Sequence, residues 1–187
     1  MNLSAVLLAG GESRRMGENK ATLLFHGEPL WQRQLELLRK LPLVEILVSA
    51  RTDPAWRPVD VDLVLDAPPW HGPLSGLAAA LARIRSSHLL ALAIDMPFMT
   101  ADYLQTLGKQ IRFGCGVVPI IGHRAEPLAA IYPVEAMVDV RASHGGSDFS
   151  LQSLVQQLIG SGKLRPILVS RSEETCFANL NEPKDLA

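Results

Sequence analysis

From Leu8 to Lys20 the chain reads Leu8-Ala9-Gly10-Gly11-Glu12-Ser13-Arg14-Arg15-Met16-Gly17-Glu18-Asn19-Lys20. Gly10 and Gly11 can take positive φ and let the backbone come close to a ligand, so successive N–H groups can converge on an anion. Arg14, Arg15 and Lys20 then add cations within one short loop. That combination suits a triphosphate, whose charge backbone amides alone neutralise poorly. No Gly-Lys-Ser/Thr follows at P-loop spacing, and no GxGxxG dinucleotide pattern is present. The plain alternative is a glycine-rich turn with solvated basic residues. The apolar run before the glycines and the cations after them favour anion binding.

Asp95 ends the apolar run Leu89–Ile94, in Asp95-Met96-Pro97-Phe98. A carboxylate at the end of a buried strand is placed to hold Mg²⁺, a hard ion that takes one or two carboxylates plus phosphate oxygens and water. The competing reading is an Asp that opens a bend. Asp66 likewise ends the run Val61–Leu65. His71-Gly72-Pro73-Leu74-Ser75-Gly76 follows, where Pro73 can start a helix. Gly72 and Gly76 admit close approach of a flat base, and for Gly76 close helix–sheet packing is the alternative. Near the end, Asn179 and Asn181 could support an acceptor or the active site, or Asn181 could cap a short helix that has Pro183 in its first turn. Trp31, Trp56 and Trp70 read as packing residues, and His71 receives no role.

The elements that carry these residues follow from periodicity. Leu3–Leu8, Ile46–Val48, Val61–Leu65, Leu89–Ile94, Val117–Ile121, Leu128–Tyr132 and Ile167–Val169 predict strands. Stripes at helical spacing run through Trp31, Leu35, Leu38 and Leu41, through Leu74, Leu77, Leu81 and Ile84, through Leu104, Leu107 and Ile111, and through Leu151, Leu154, Val155, Leu158 and Ile159. Strands alternating with helices predict an α/β fold, a three-layer α/β/α arrangement around a mostly parallel sheet. Ligands of such sheets sit at the carboxyl ends of the strands, so the loops after Leu8, Val48, Leu65 and Ile94 should share one rim. Arg141–Ser150, rich in Gly and Ser, predicts a mobile loop near a substrate. Residues 1–187 read as one domain.

Composition narrows the function. Hydrophobic residues make up 48% and charged residues 20%, which fits a globular core. The net charge of −1 provides no general basic field, which argues against nucleic acid. Two cysteines, Cys115 and Cys176, provide neither a disulfide framework nor a zinc site. The first apolar run ends at Ala9, too short to span a membrane. A cytoplasmic enzyme is the expectation.

Together these pieces resemble the molybdenum cofactor guanylyltransferase family, within the nucleotidyltransferases of Rossmann-like, glycosyltransferase-A-like (GT-A-like) fold. The resemblance runs through Leu7-Leu8-Ala9-Gly10-Gly11, Arg14-Arg15-Met16-Gly17, Lys20, Gly27-Glu28-Pro29-Leu30, Gly72-Pro73-Leu74-Ser75-Gly76 and Asp95-Met96-Pro97. It continues through Glu126-Pro127-Leu128-Ala129-Ala130-Ile131-Tyr132 and Phe177-Ala178-Asn179-Leu180-Asn181-Glu182-Pro183, which covers nearly the whole chain in order. It departs at Ser49, where family members often carry a nucleotide-contacting asparagine, and near Ser150-Leu151, where an arginine is missing.

The resemblance implies GTP binding by Leu8, Ala9, Gly10, Lys20, Asp66 and Asp95, and magnesium on Asp95. It implies catalytic roles for Arg15, Lys20 and Asp95. The implied reaction moves GMP from GTP to molybdopterin, giving the guanine dinucleotide cofactor and pyrophosphate. Its implied partners are GTP, molybdopterin, and molybdoenzymes or other cofactor-biosynthesis proteins. A phosphate nucleophile, largely ionised above its second pKa of about 6, needs no general base. A cytidylyltransferase acting on the same pterin, a sugar-phosphate nucleotidyltransferase and a non-catalytic nucleotide-binding protein share the loop chemistry and stand as alternatives.

Overall fold

The computed structural model describes residues 1–10, 20–66 and 68–180. The strands are β1 (Leu3–Leu8), β2 (Leu24–Phe25), β3 (Glu28–Pro29), β4 (Ile46–Ala50), β5 (Asp62–Leu65), β6 (His88–Ala93), β7 (Gly116–Ile121), β8 (Arg124–Ala125), β9 (Ala129–Pro133) and β10 (Leu164–Leu168). The helices are α1 (Leu30–Arg39), α2 (Pro73–Arg83), α3 (Ala101–Gly108), α4 (Met137–His144) and α5 (Leu151–Gly160).

β1 and β6 are buried along almost their whole length, as continuous apolar runs between helix layers must be. The main sheet runs in the order β10-β7-β9-β6-β1-β4-β5, with β8 added beside β7. β5, β4, β1 and β6 are mutually parallel. α1 and α3 cover one face and α2, α4 and α5 the other, each over its own apolar cluster. The helices begin where their sequences say they should. Pro73 occupies the first turn of α2. Thr100 and Ser150 cap α3 and α5, their hydroxyls accepting from the N–H groups of Tyr103 and Ser153.

The three-layer, mostly parallel architecture is the expected one. Its exceptions are β9, antiparallel to both β6 and β7, and the short β8, antiparallel to β7. The cause is local. β7 turns straight into β8 and on into β9, and too few residues separate β7 from β9 for the helical crossover that a parallel return requires. A second difference lies at Arg141–His144, which closes α4 instead of belonging to a loop. α4 escaped notice because its apolar face is thin, with Val140 its only buried side chain. The loop proper is Gly145–Ser150.

Parallel pairing brings the carboxyl ends of β5, β4, β1 and β6 to one rim, as expected. β7 and β10 end at the same rim, since β7 runs opposite to β9 and parallel to β10. No described helix is long and apolar enough to cross a membrane.

Candidate active site

At the β1–β4–β5 end of the rim, Asp66 follows β5 and is 7% exposed. Its Oδ1 accepts from the Ser49 hydroxyl at 2.5 Å, in a bond between side chains of neighbouring strands' ends. Burial pushes the Asp66 carboxyl above its ordinary value, opposed by the Ser49 hydrogen bond and the nearby Arg51 charge. Ser49 is therefore occupied in positioning this carboxylate, which the sequence did not reveal.

Two glycines make room for the pair. A Cβ on Gly10 would lie 2.5 Å from Asp66 Oδ2. A Cβ on Gly76 would strike Ser49 Oγ and come within 2.8 Å of Leu8 Cδ2. Gly76 thus serves helix–sheet packing, the second of its two readings. Gly10 does not adopt positive φ, unlike the expectation; its service is space for the carboxylate. Gly72 does take positive φ, at 59°, where the chain turns into α2. Ala9 donates its N–H to Ser49 O at 3.0 Å, and Leu8 O accepts from Ile94 N at 3.3 Å. The sheet ladder claims those groups.

At the β6 end, Asp95 stands in the turn after the strand. Lys20 Nζ lies 2.7 Å from Asp95 Oδ2, with the two side chains 23% and 19% exposed. The same ammonium donates to Leu180 O at 3.2 Å. Leu180 N in turn donates to Asp95 O at 3.0 Å. The carboxyl-terminal segment is thereby tied to the Asp95 turn. Phe177 and Leu180 are buried there, while Asn179 between them is exposed.

Two adjacent α1 side chains fix the same turn from below. Gln34, 1% exposed, donates to Met96 O at 2.6 Å. Arg33 Nε donates to Pro97 O at 2.7 Å. Periodicity marks α1 as a helix but gives no signal that these polar residues reach a loop distant in sequence.

The structure thus brings Leu8, Ala9, Gly10, Lys20, Asp66 and Asp95 to one rim. Arg15 and Asn181 lie outside the described residues. His71, given no role, stacks on Phe149 with centroids 3.5 Å apart. His144 lies 3.1 Å from the Ser75 hydroxyl, so the start of α2 is joined to the end of α4. Trp31 and Trp56 stack on each other at 5.7 Å, which fits packing. The exposed Trp70 lies beneath Arg51.

The family model described as MobA-like NTP transferase domain matches residues 5–163. The chain is 36% identical over 186 residues to a probable molybdenum cofactor guanylyltransferase of Opitutus terrae, spanning 98% of this chain and 92% of that protein. It is 31% identical over 186 residues to a molybdenum cofactor guanylyltransferase of Pseudomonas fluorescens, spanning 97% and 90%. Among solved structures, molybdopterin-guanine dinucleotide biosynthesis protein A of Archaeoglobus fulgidus superposes with a TM-score of 0.77 at 22% identity, over 98% of this chain and 94% of that one.

Proposed function

Since the chain belongs to the molybdenum cofactor guanylyltransferase family, within the MobA-like NTP transferases, we propose that it transfers GMP from GTP to molybdopterin. The observation that carries this reading is the meeting of Gly10, Asp66, Lys20 and Asp95 at the carboxyl rim of parallel strands, where such sheets bind nucleotides.

In the proposed reaction an oxygen of the molybdopterin phosphate attacks the α-phosphorus of GTP. The bond from that phosphorus to the bridging oxygen breaks, and pyrophosphate leaves with the electron pair. The nucleophile is already anionic at neutral pH, so the residues position and neutralise instead of moving a proton. Asp66, acceptor-only when ionised, offers its carboxylate to nucleotide donors such as the ribose hydroxyls. Lys20 exchanges its partner: the ammonium that holds Asp95 turns to the triphosphate. Arg15 joins it at the departing pyrophosphate. Leu8 and Ala9 line the nucleotide at the end of β1, and Asn179 and Asn181 support the acceptor side.

The donor set at Asp95 suits magnesium held jointly with a nucleotide. Asp95 supplies a hard carboxylate, and no cluster of three His, Cys, Asp or Glu side chains stands among the described residues to hold a metal by protein alone. Bound on Asp95, magnesium would neutralise phosphate charge and polarise the α-phosphate. The setting would be the cytoplasm, with molybdoenzymes or other cofactor-biosynthesis proteins downstream.

The test is pyrophosphate release from GTP, CTP and ATP, with and without molybdopterin and magnesium. Release is expected only with GTP, acceptor and metal together. Preference for CTP would overturn the nucleotide assignment, and full activity in a chelator would overturn the metal.

A further inference from the structure

Glu126 is fixed through its backbone and its neighbours, while no described residue donates a hydrogen bond to its carboxylate. Its N–H donates to Pro119 O at 2.9 Å, and its carbonyl accepts from Ala129 N at 3.2 Å. The preceding Ala125 is clamped by the Gln152 side-chain amide, which accepts from its N–H at 3.2 Å and donates to its carbonyl at 2.8 Å. The following Pro127 carbonyl receives the hydroxyl of the fully buried Tyr132 at 2.9 Å. The carboxylate itself is partly buried, and no described residue donates a hydrogen bond to it. Burial pushes this carboxyl above its ordinary value, and the Arg124 charge opposes the shift. A desolvated carboxylate without donors is costly, and one fixed at a rim is a candidate binding group.

Its position is set by the sheet. Leu128 O accepts from Ala93 N at 2.9 Å. Glu126 and Asp95 therefore stand at the same end of the β6–β9 pair, two residues beyond that bond on either strand. Asp66, Ser49, Gly10 and Gly76 lie on the other side of β6, toward β1, β4 and β5.

A carboxylate has only acceptors to offer, so its ligand must present donors, and phosphate is repelled. Two parallel N–H donors match its two oxygens. Under the reading proposed above, both substrates have such an edge: the 2-amino-4-oxopyrimidine of the pterin and that of guanine. Strand order separates them. A nucleotide seated at Asp66 with its phosphates at Asp95 leaves the β9 side to the acceptor. We infer that the Glu126 carboxylate binds the 2-amino-4-oxopyrimidine edge of the acceptor's pterin and so selects the acceptor. This rests on the assignment of a pterin substrate.

The test uses 6-hydroxymethylpterin and the matching lumazine, which has a carbonyl in place of the 2-amino group. Both are titrated by fluorescence into the wild-type protein, Glu126→Gln and Glu126→Ala. GTP affinity is measured separately by calorimetry, and Tm checks the fold. Wild type should prefer the pterin about 10–100-fold, the range for a charge-assisted hydrogen bond. Both variants should lose that preference while GTP affinity and Tm hold. A wild type indifferent to the 2-amino group, or variants that keep the preference, would overturn the inference. Weakened GTP binding with pterin binding intact would instead assign the edge to guanine. Failure of the proposed reaction is distinguishable: pyrophosphate release with CTP alone would leave a pterin preference lost in the variants untouched.

Discussion

The two aspartates of the rim are held in opposite ways. Asp66 is packed: buried, bonded to Ser49, and surrounded by glycines that leave no space for a side chain. Asp95 is paired: part-exposed, bridged to Lys20, and tied through that lysine to Leu180. A packed carboxylate is a fixed feature, which under the proposed function nucleotide donors must fit. An ion pair between partly exposed groups is weak enough to be traded for a stronger charge, since such pairs contribute only about 0–1 kcal/mol. The fold therefore makes one end of the site rigid and leaves the other exchangeable.

The largest expected effect lies at the exchangeable end. Asp95→Ala should retain the fold but lose roughly 10²–10³ in magnesium-dependent turnover, the scale of one lost electrostatic contact in a transition state. Pyrophosphate release near the wild-type rate would remove Asp95 from the chemistry. Lys20→Ala should weaken GTP binding by about 10–100-fold, as expected for a lost charge-assisted hydrogen bond. Calorimetry showing unchanged affinity would mean the ammonium never leaves Asp95.

At the packed end the effects should appear in stability. Gly76→Ala forces a methyl onto Ser49 Oγ and should cost about 1–3 kcal/mol in urea unfolding, by overpacking. GTP affinity should fall with it, because Asp66 loses its brace. A neutral substitution would show that this end can relax and would erase the contrast with Asp95.

The smallest effect concerns pH. Burial raises the Asp66 carboxyl in the folded state above its ordinary 3.8. The folded state then binds the proton more tightly than the unfolded chain. Its stabilising contribution is complete at acid pH and is lost as pH rises through the raised value. Asp66→Asn keeps an acceptor for Ser49 and removes that loss. The variant should melt higher than wild type at pH 7, with the advantage shrinking as pH falls through the raised value and gone below about 4, and should bind GTP less well. Equal Tm values across that range would mean that solvent reaches Asp66 freely.

Much of this was legible in the residues. The apolar runs before Gly10 and Asp95 predicted the strands that deliver them, because burial on both faces requires continuous hydrophobicity, while the run before Asp66 became the partly exposed edge strand β5. The reversal of β9 was not legible, since direction depends on the length of a connection and not on the strand's own pattern. α4 was missed because it buries too little to leave a stripe. Of the two uses expected of Gly10, positive φ and close approach, the structure shows the second, through its missing side chain.

By itself the sequence determined which groups carry charge and which strand ends present them: Lys20, Asp66 and Asp95 follow directly from periodicity and residue type. Only the tertiary structure decided their partners. Ser49 with Asp66, Lys20 with Asp95 and Leu180, and Gln34 with Met96 join segments far apart in the chain. A one-dimensional pattern records which face of an element is buried. It does not record which distant hydroxyl, amide or carbonyl meets that element, because this depends on strand order and on the crossing of helices over the sheet.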